Sequence, residues 1–438
     1  MAGLVTCVLA LGACASGGGG AGATIPPGGD RTAHGLQVGS GARVTVALDK
    51  ATAVDPVVAA TWRAGFAALA ASDGPRGAVV SPAGLVVALA MLGEGATGDS
   101  VAAFDDALGA SGQARTDAVN ALSAALARYE GDPAAVRAKD LPGTPVVHLA
   151  NQLVADDAVT VAEPFLDTLV NGYGAGVLVT DLTSPSGMPA LDAWVDRNSG
   201  GLIKKTAITP DPYLVLVLQN AIALAARWEA PFDPNDTIDR TFTLASGEQV
   251  QLPTMDRIGA FSYVERNGWR ALRLPYTADL HADVILPPEG SAAAKDPAAA
   301  DPATVAELSA ALDLITPAGF ESEVALPKLD VTTKLDLRST MTAIGLGRLL
   351  DAGTADLGGL LVDPPGPPYL GQAWQQAVLK IDEQGTRAAA VTELGAEASS
   401  GRIGTPRQFL VDRPFLLAVG DGVTGWPLFL ASVLDPRD

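Results

Sequence analysis

Apolar residues change their spacing along this chain, and that change constrains the fold more than any other feature. Residues 55–71 and 82–93 place them at helical intervals, and 101–129 form Ala-rich stretches whose charges suit surface helices. Beyond the middle, short strand-like runs take over: Leu214–Leu218, Asp283–Leu286, Val324–Leu326, Ala377–Ile381, Phe415–Val419 and Leu428–Val433. Helices first and strands later predict an α+β fold rather than a βαβ alternation. No repeat period is present. Gly131–Thr144 and the Ala/Asp/Pro-rich Gly290–Thr304 are expected to be surface insertions, and Asp363–Pro368 a rigid loop. None interrupts a core pattern, so the body reads as one domain. With 48% hydrophobic and 18% charged residues, a sizeable core is within reach.

The first residues, MAGLVTCVLALGACA, form an apolar stretch too short to span a bilayer and ending in small residues, as in a secretory signal. Leu11-Gly12-Ala13-Cys14 resembles the bacterial lipobox, in which the Cys becomes the lipidated N-terminus. The expected organisation is a lipoprotein-type signal over 1–13, lipidated Cys14 with a Gly/Pro-rich tether over 14–45, and a folded domain over 46–438. Localisation is then extracellular, either tethered to the outer face of the bacterial membrane or secreted. Cys7 leaves with the signal and Cys14 carries lipid, so the domain has no disulfide to lean on.

Net charge is −20, and no stretch concentrates Lys or Arg. Nucleic acid, anionic membrane surfaces and polyanions are poor partners for such a surface. Of the three histidines, His34 lies in the tether, His148 reads as a structural histidine in a strand-like run, and His281 is the third. No G-x-S-x-G, H-E-x-x-H, P-loop or dinucleotide fingerprint occurs. The chain is expected not to be an enzyme and to need neither cofactor nor metal.

The segment Ile381–Leu394 is the most informative. Counting from Thr386, alternate residues are Ala388, Ala390, Thr392 and Leu394, all small or apolar, while Arg387 and Glu393 fall on the other parity. Gly385 supplies a pivot, and no Pro lies between Thr386 and Ser400. Such a segment could enter a sheet without burying a charge. An Ala-rich helix over Thr386–Glu397 fits the same residues equally well.

Motifs in order over most of the chain resemble the serpin family. They are Ser81-Pro82, the run Met91–Gly98, Ala150-Asn151-Gln152-Leu153, Tyr173-Gly174-Ala175, and Leu191–Val195 followed by Ser199–Ile203. Asn220-Ala221-Ile222 with Trp228 and Pro231-Phe232 comes next, then Leu274-Pro275-Tyr276, Ile285-Leu286-Pro287, Leu326-Pro327-Lys328, Ala355–Gly359, Asp412–Phe415 and Pro427–Leu430. The resemblance implies three β-sheets with about nine helices and an exposed reactive-centre loop over about 383–408.

It also implies a suicide inhibitor of extracellular serine proteases, acting as a monomer. The loop hinge would comprise Glu383, Gly385, Thr386, Ala388, Ala389, Ala390 and Thr392, and the region where the sheet opens Ser81, Asn220, Trp228 and Gln375. The family's loop length places the scissile bond at Ser399–Ser400, which suits an elastase-like or subtilisin-like protease. Arg402–Ile403, which suits a trypsin-like one, is the alternative. A non-inhibitory surface lipoprotein acting as a binding module is the rival function. Three departures stand out: Gln375 where the family commonly has His, Gly84 where it has Ser, and Ala223-Leu224-Ala225-Ala226 in place of an aromatic-rich strand.

Overall fold

The computed structural model describes residues 35–317, 321–387 and 406–437. Among these are eight α-helices and three large sheets, with a two-stranded ribbon joining 160–161 to 361–362. The seven-stranded sheet runs, edge to edge, 36–37, 177–180, 146–156, 216–227, 385–387, 372–382 and 329–336. A six-stranded sheet (77–80, 427–433, 415–421, 280–286, 269–275, 263–266) and a four-stranded one (407–410, 321–327, 249–260, 238–243) complete the body.

Between the two larger sheets lies the helix Pro82–Gly93, every residue of which is buried. Its sequence, PAGLVVALAMLG, is apolar on all sides, which suits a helix with no solvent face. Pro82 starts it and the Ser81 hydroxyl accepts from the Gly84 amide, so the start is capped without a charge.

The strand Leu216–Arg227 is buried on both faces apart from Arg227. Leu218, Ile222, Leu224 and Ala226 enter the main core, while Ala221, Ala223 and Ala225 face outward under a cover. Its neighbour Gln372–Asp382 alternates half-buried and buried residues, the pattern of a sheet with one face towards water.

Two stretches expected to be surface insertions are tied down more closely than their composition implies. The stretch 131–144 runs over the surface but is anchored to the sheet rather than being a free insertion. Its 3-10 turn Pro133–Arg137 lays a fully buried Val136 on Ala223 and Ala225, with Leu141 beside them. Likewise Ala293, Pro297 and Ala300 of 290–304 are buried, and Asp301 caps the next helix. A few apolar residues without a period suffice to close a sheet face, and composition does not register them.

The expected tether over 14–45 also gives way to structure from Gly35 onward. Leu36 and Gln37 pair with Leu178 and Val177 and so close the sheet edge. The Asp167 carboxylate accepts from the Ser40 amide and hydroxyl. Buried Asn120 accepts from the Val46 amide (2.8 Å) and donates to the carbonyls of Val44 (2.7 Å) and Gly172 (2.6 Å). Asn120→Ala strands these backbone groups and should cost about 1–3 kcal/mol. The expected result is a lower urea midpoint at unchanged slope, and an unaltered midpoint contradicts the strap.

Candidate functional site: a split sheet with a hinge in the gap

The strands 216–227 and 372–382 are neighbours for only part of their length. At one end they pair in parallel, from Gln372 opposite Val217 to Gln376 opposite Ala221. At the other they part, and the chain turns at Glu383-Gln384 and runs back between them. Gly385, Thr386 and Arg387 pair with Asp382, Ile381 and Lys380 on one side, and Gly385 and Thr386 with Arg227 and Ala226 on the other.

Each residue of the turn is held. The Asp382 carboxylate accepts from the amides of Gln384 (2.8 Å) and Gly385 (3.3 Å). A Cβ at Gly385 would lie 2.1 Å from the Ala226 carbonyl oxygen, so only glycine lets the two backbones meet. The Trp228 amide donates to the Gln384 carbonyl and its indole to that of Asp382 (3.0 Å), while the Phe232 amide donates to Glu383. Tyr276 stacks on Trp228 with ring centres 4.3 Å apart, and its hydroxyl bonds that of Thr386. Thr386 is 1% exposed, so the first residue of the small-residue parity already faces the interior.

Lys328 reaches both Glu383 oxygens (3.0 and 3.1 Å) and Thr237 donates to one (2.9 Å). Burial alone would raise the Glu383 pKa. The bond from its own backbone and those from Lys328 and Thr237 outweigh it, holding the carboxyl below its ordinary value.

At the paired end the strands are locked by amides. Gln375 Nε2 donates to the Ser81 carbonyl (2.8 Å) and to Asn220 Oδ1 (2.9 Å), and Gln375 Oε1 accepts from the Ser81 amide (2.8 Å). Asn220 Nδ2 continues to Asn151 Oδ1 (2.8 Å). All four residues are at most 3% exposed. The glutamine thus bridges strands 372–382 and 216–227 and ties them to the start of the buried helix.

Of the four residues expected where the sheet opens, Ser81, Asn220 and Gln375 stand together at one end of this gap, whereas Trp228 stands at the other with the hinge residues Glu383, Gly385 and Thr386. Ala388, Ala389, Ala390, Thr392, the bonds Ser399–Ser400 and Arg402–Ile403, and Cys14 lie outside the described residues. Tyr276, Lys328 and Asn151 sit in motifs that read as fold markers, yet they hold the hinge and the amide lock. Their side chains act on partners more than 50 residues away, which no local pattern encodes.

Gly84 completes the lock. A Cβ there would fall 2.2 Å from Asn220 Nδ2. Gly84→Ala must therefore push Asn220 off Gln375. We expect the intact protein to melt at lower temperature by the equivalent of about 1–3 kcal/mol; an unchanged melting temperature contradicts the lock.

Known proteins share this fold. A family model described as serpin (serine protease inhibitor) matches residues 65–436. Alpha-1-antiproteinase of Callosciurus caniceps is 30% identical over 289 residues, 65% of this chain and 67% of that one. Human serpin A12 is 27% identical over 66% of this chain and 67% of its own. Among solved structures, the thermophilic serpin tengpin in its native state superposes with a TM-score of 0.71 at 21% identity, covering 86% of this chain and 93% of its own. Thyroxine-binding globulin with thyroxine does so at 0.71 and 23%, covering 88% and 100%. With the family model matched over most of its length, the split sheet and the clipped hinge fall into place: the chain belongs to the serpin family.

Proposed function

We propose that the protein is a suicide inhibitor of extracellular serine proteases. The observation that carries this is the hinge seated between two strands that remain paired only at their far end. It leaves one direction for a freed loop to go: onward between strands 216–227 and 372–382, breaking the pairing from Gln376 to Gln372 as it advances. Residues Ala388, Ala390, Thr392 and Leu394 share the parity of Thr386 and would follow it into the interior at no charge-burial cost.

The chemistry belongs to the protease. Its serine oxygen adds to the Ser399 carbonyl, the Ser399–Ser400 bond breaks, and the Ser400 nitrogen leaves with a proton, giving an acyl-enzyme. Insertion of 386–398 then carries the acylated protease to the far end of the sheet, where its distorted site no longer deacylates. The small residues Ala396, Ala398 and Ser399 suit an elastase-like or subtilisin-like primary pocket; a cut at Arg402–Ile403 would suit a trypsin-like one. The intact form is held by a kinetic barrier rather than by its free energy. Lipid on Cys14 would keep this monomeric inhibitor at the outer face of the membrane, with the stretch before Gly35 as tether; without lipid it would be secreted.

Incubation with elastase-, subtilisin- and trypsin-type proteases tests the proposal. It predicts an SDS-stable complex and release of a C-terminal fragment starting at Ser400. Clean cleavage with protease activity intact would instead favour the binding-module function. Thr386 is already 1% exposed in the intact protein. Thr386→Arg therefore either drives the hinge out of the gap before cleavage or buries a charge at several kcal/mol, and in both cases the strand cannot enter past it. This variant should be cleaved as a substrate and form no complex.

A further inference from the structure

The outer face of the seven-stranded sheet is covered where the loop would enter. From one side, segment 130–141 lays Ala135, Val136 and Leu141 on Ala223 and Ala225, with Leu202 and Val378 packed against the same group. From the other, the helix Met188–Asn198 and its continuation put Trp194, Val195 and Ile203 on Ala150 and Ala221. The two covers touch each other: a Cβ at Gly200 would lie 2.1 Å from the Pro133 carbonyl oxygen. Leu141 stands 2.9 Å from where a Gly385 Cβ would be, directly over the hinge. An inserting strand would raise Ala389, Val391 and Glu393 into this layer, because they have the parity opposite to Thr386. The cover must lift before the strand can enter.

One side chain ties both halves of the cover to the sheet. His148 projects from the strand Val146–Asp156 on the covered face, opposite Ala223 of the neighbouring strand. Its Nδ1 meets Glu130 Oε1 at 2.7 Å, and its Nε2 meets Asn198 Oδ1 at 2.9 Å. Asn198 Nδ2 donates to the Trp194 carbonyl (2.8 Å), which fixes the amide so that its oxygen faces the ring. Both ring nitrogens therefore face acceptors, and only the doubly protonated imidazolium satisfies both.

We propose that His148, bridging Glu130 and Asn198, is a protonation-controlled latch that holds the cover down and sets the rate at which the sheet admits a strand. The inference rests on the insertion reading above.

Burial disfavours the charged ring, but the bonds to Glu130 and Asn198 and the charges of Glu130 and Asp132 prevail, so the His148 pKa is raised. Glu130 and Asp132 are the charges that act on it from segment 130–137; the helix contributes neutral Asn198, and the adjoining strand contributes Ala223. With the folded pKa above the unfolded one, the latch is fully closed below the ordinary histidine value. It is released as pH rises through the raised value. His281 does not mimic this, because burial lowers its pKa.

The test is the rate at which a synthetic copy of residues 388–399 anneals into the intact protein, read as gain of heat resistance across pH 5.5–9. For the native sequence we expect annealing to quicken about tenfold from acid to alkali, the weight of one charge-assisted hydrogen bond. His148→Gln should anneal fast and without pH dependence. Glu130→Gln, at a half-buried position that folding tolerates more readily, should move the midpoint to lower pH, which a merely structural contact would not do. A His148→Gln profile matching the native one, or an unmoved midpoint in Glu130→Gln, overturns the latch. Annealing that is independent of His148 overturns the latch and leaves insertion standing. No annealing in any variant at any pH overturns insertion, and the latch with it.

Discussion

Everything in this molecule turns on a parallel strand pairing that covers only five positions, Gln372–Gln376 against 217–221. A strand buried on both faces, such as Leu216–Arg227, normally has a partner along its whole length, because unpaired backbone groups away from water are costly. Here the remaining positions are filled partly by two residues of the returning chain, Gly385 and Thr386. The sheet is therefore complete at both ends of the gap by two different means, and replacing one by the other needs no new backbone chemistry.

The lock at the paired end is polar where the rest of the core is apolar. Gln375 spends both its donors and its acceptor on Ser81 and Asn220. Amide bonds of this kind are directional and fail together once the strands separate, whereas dispersion contacts weaken gradually. The glycine at position 84 and the glutamine at position 375 fit one another: the absent side chain makes room for the Asn220 amide that the glutamine holds. Two departures from the family's usual residues thus act as a single arrangement. The outer cover adds a second barrier, made of apolar contacts and the His148 bridge, so that both faces of the gap oppose entry until something drives it.

Much of this was legible in the sequence and some was not, for identifiable reasons. The α+β division follows from periodicity, and 82–93 was readable as a helix, though not as one buried on every side. The pivot at Gly385 was also readable, because a turn into a sheet needs backbone freedom, whereas the alternation from Thr386 onward fitted a strand and an Ala-rich helix equally. What escaped were long-range partners. Lys328 and Tyr276 look like strand-end residues, and only the fold brings them to Glu383 and Thr386. Segment 131–144 has the composition of a loop, and its role depends on Val136 and Leu141 meeting an alanine-rich strand. Those alanines, which stand in place of an aromatic-rich strand, are the flat surface on which the cover lies. Residues 36–45 were assigned to a tether because hydrogen bonds to Asn120 and Asp167 leave no hydrophobic period.

Under the proposed function, the gap between strands 216–227 and 372–382 is a strand position reserved for the chain's own loop. The most direct measurement is the melting temperature of the protein before and after a single cut within 388–405, with both fragments retained. Insertion predicts that the cut protein melts far higher than the intact one, since the new strand gains a full set of ladder bonds. A melting temperature that stays the same or falls after the cut would contradict the account.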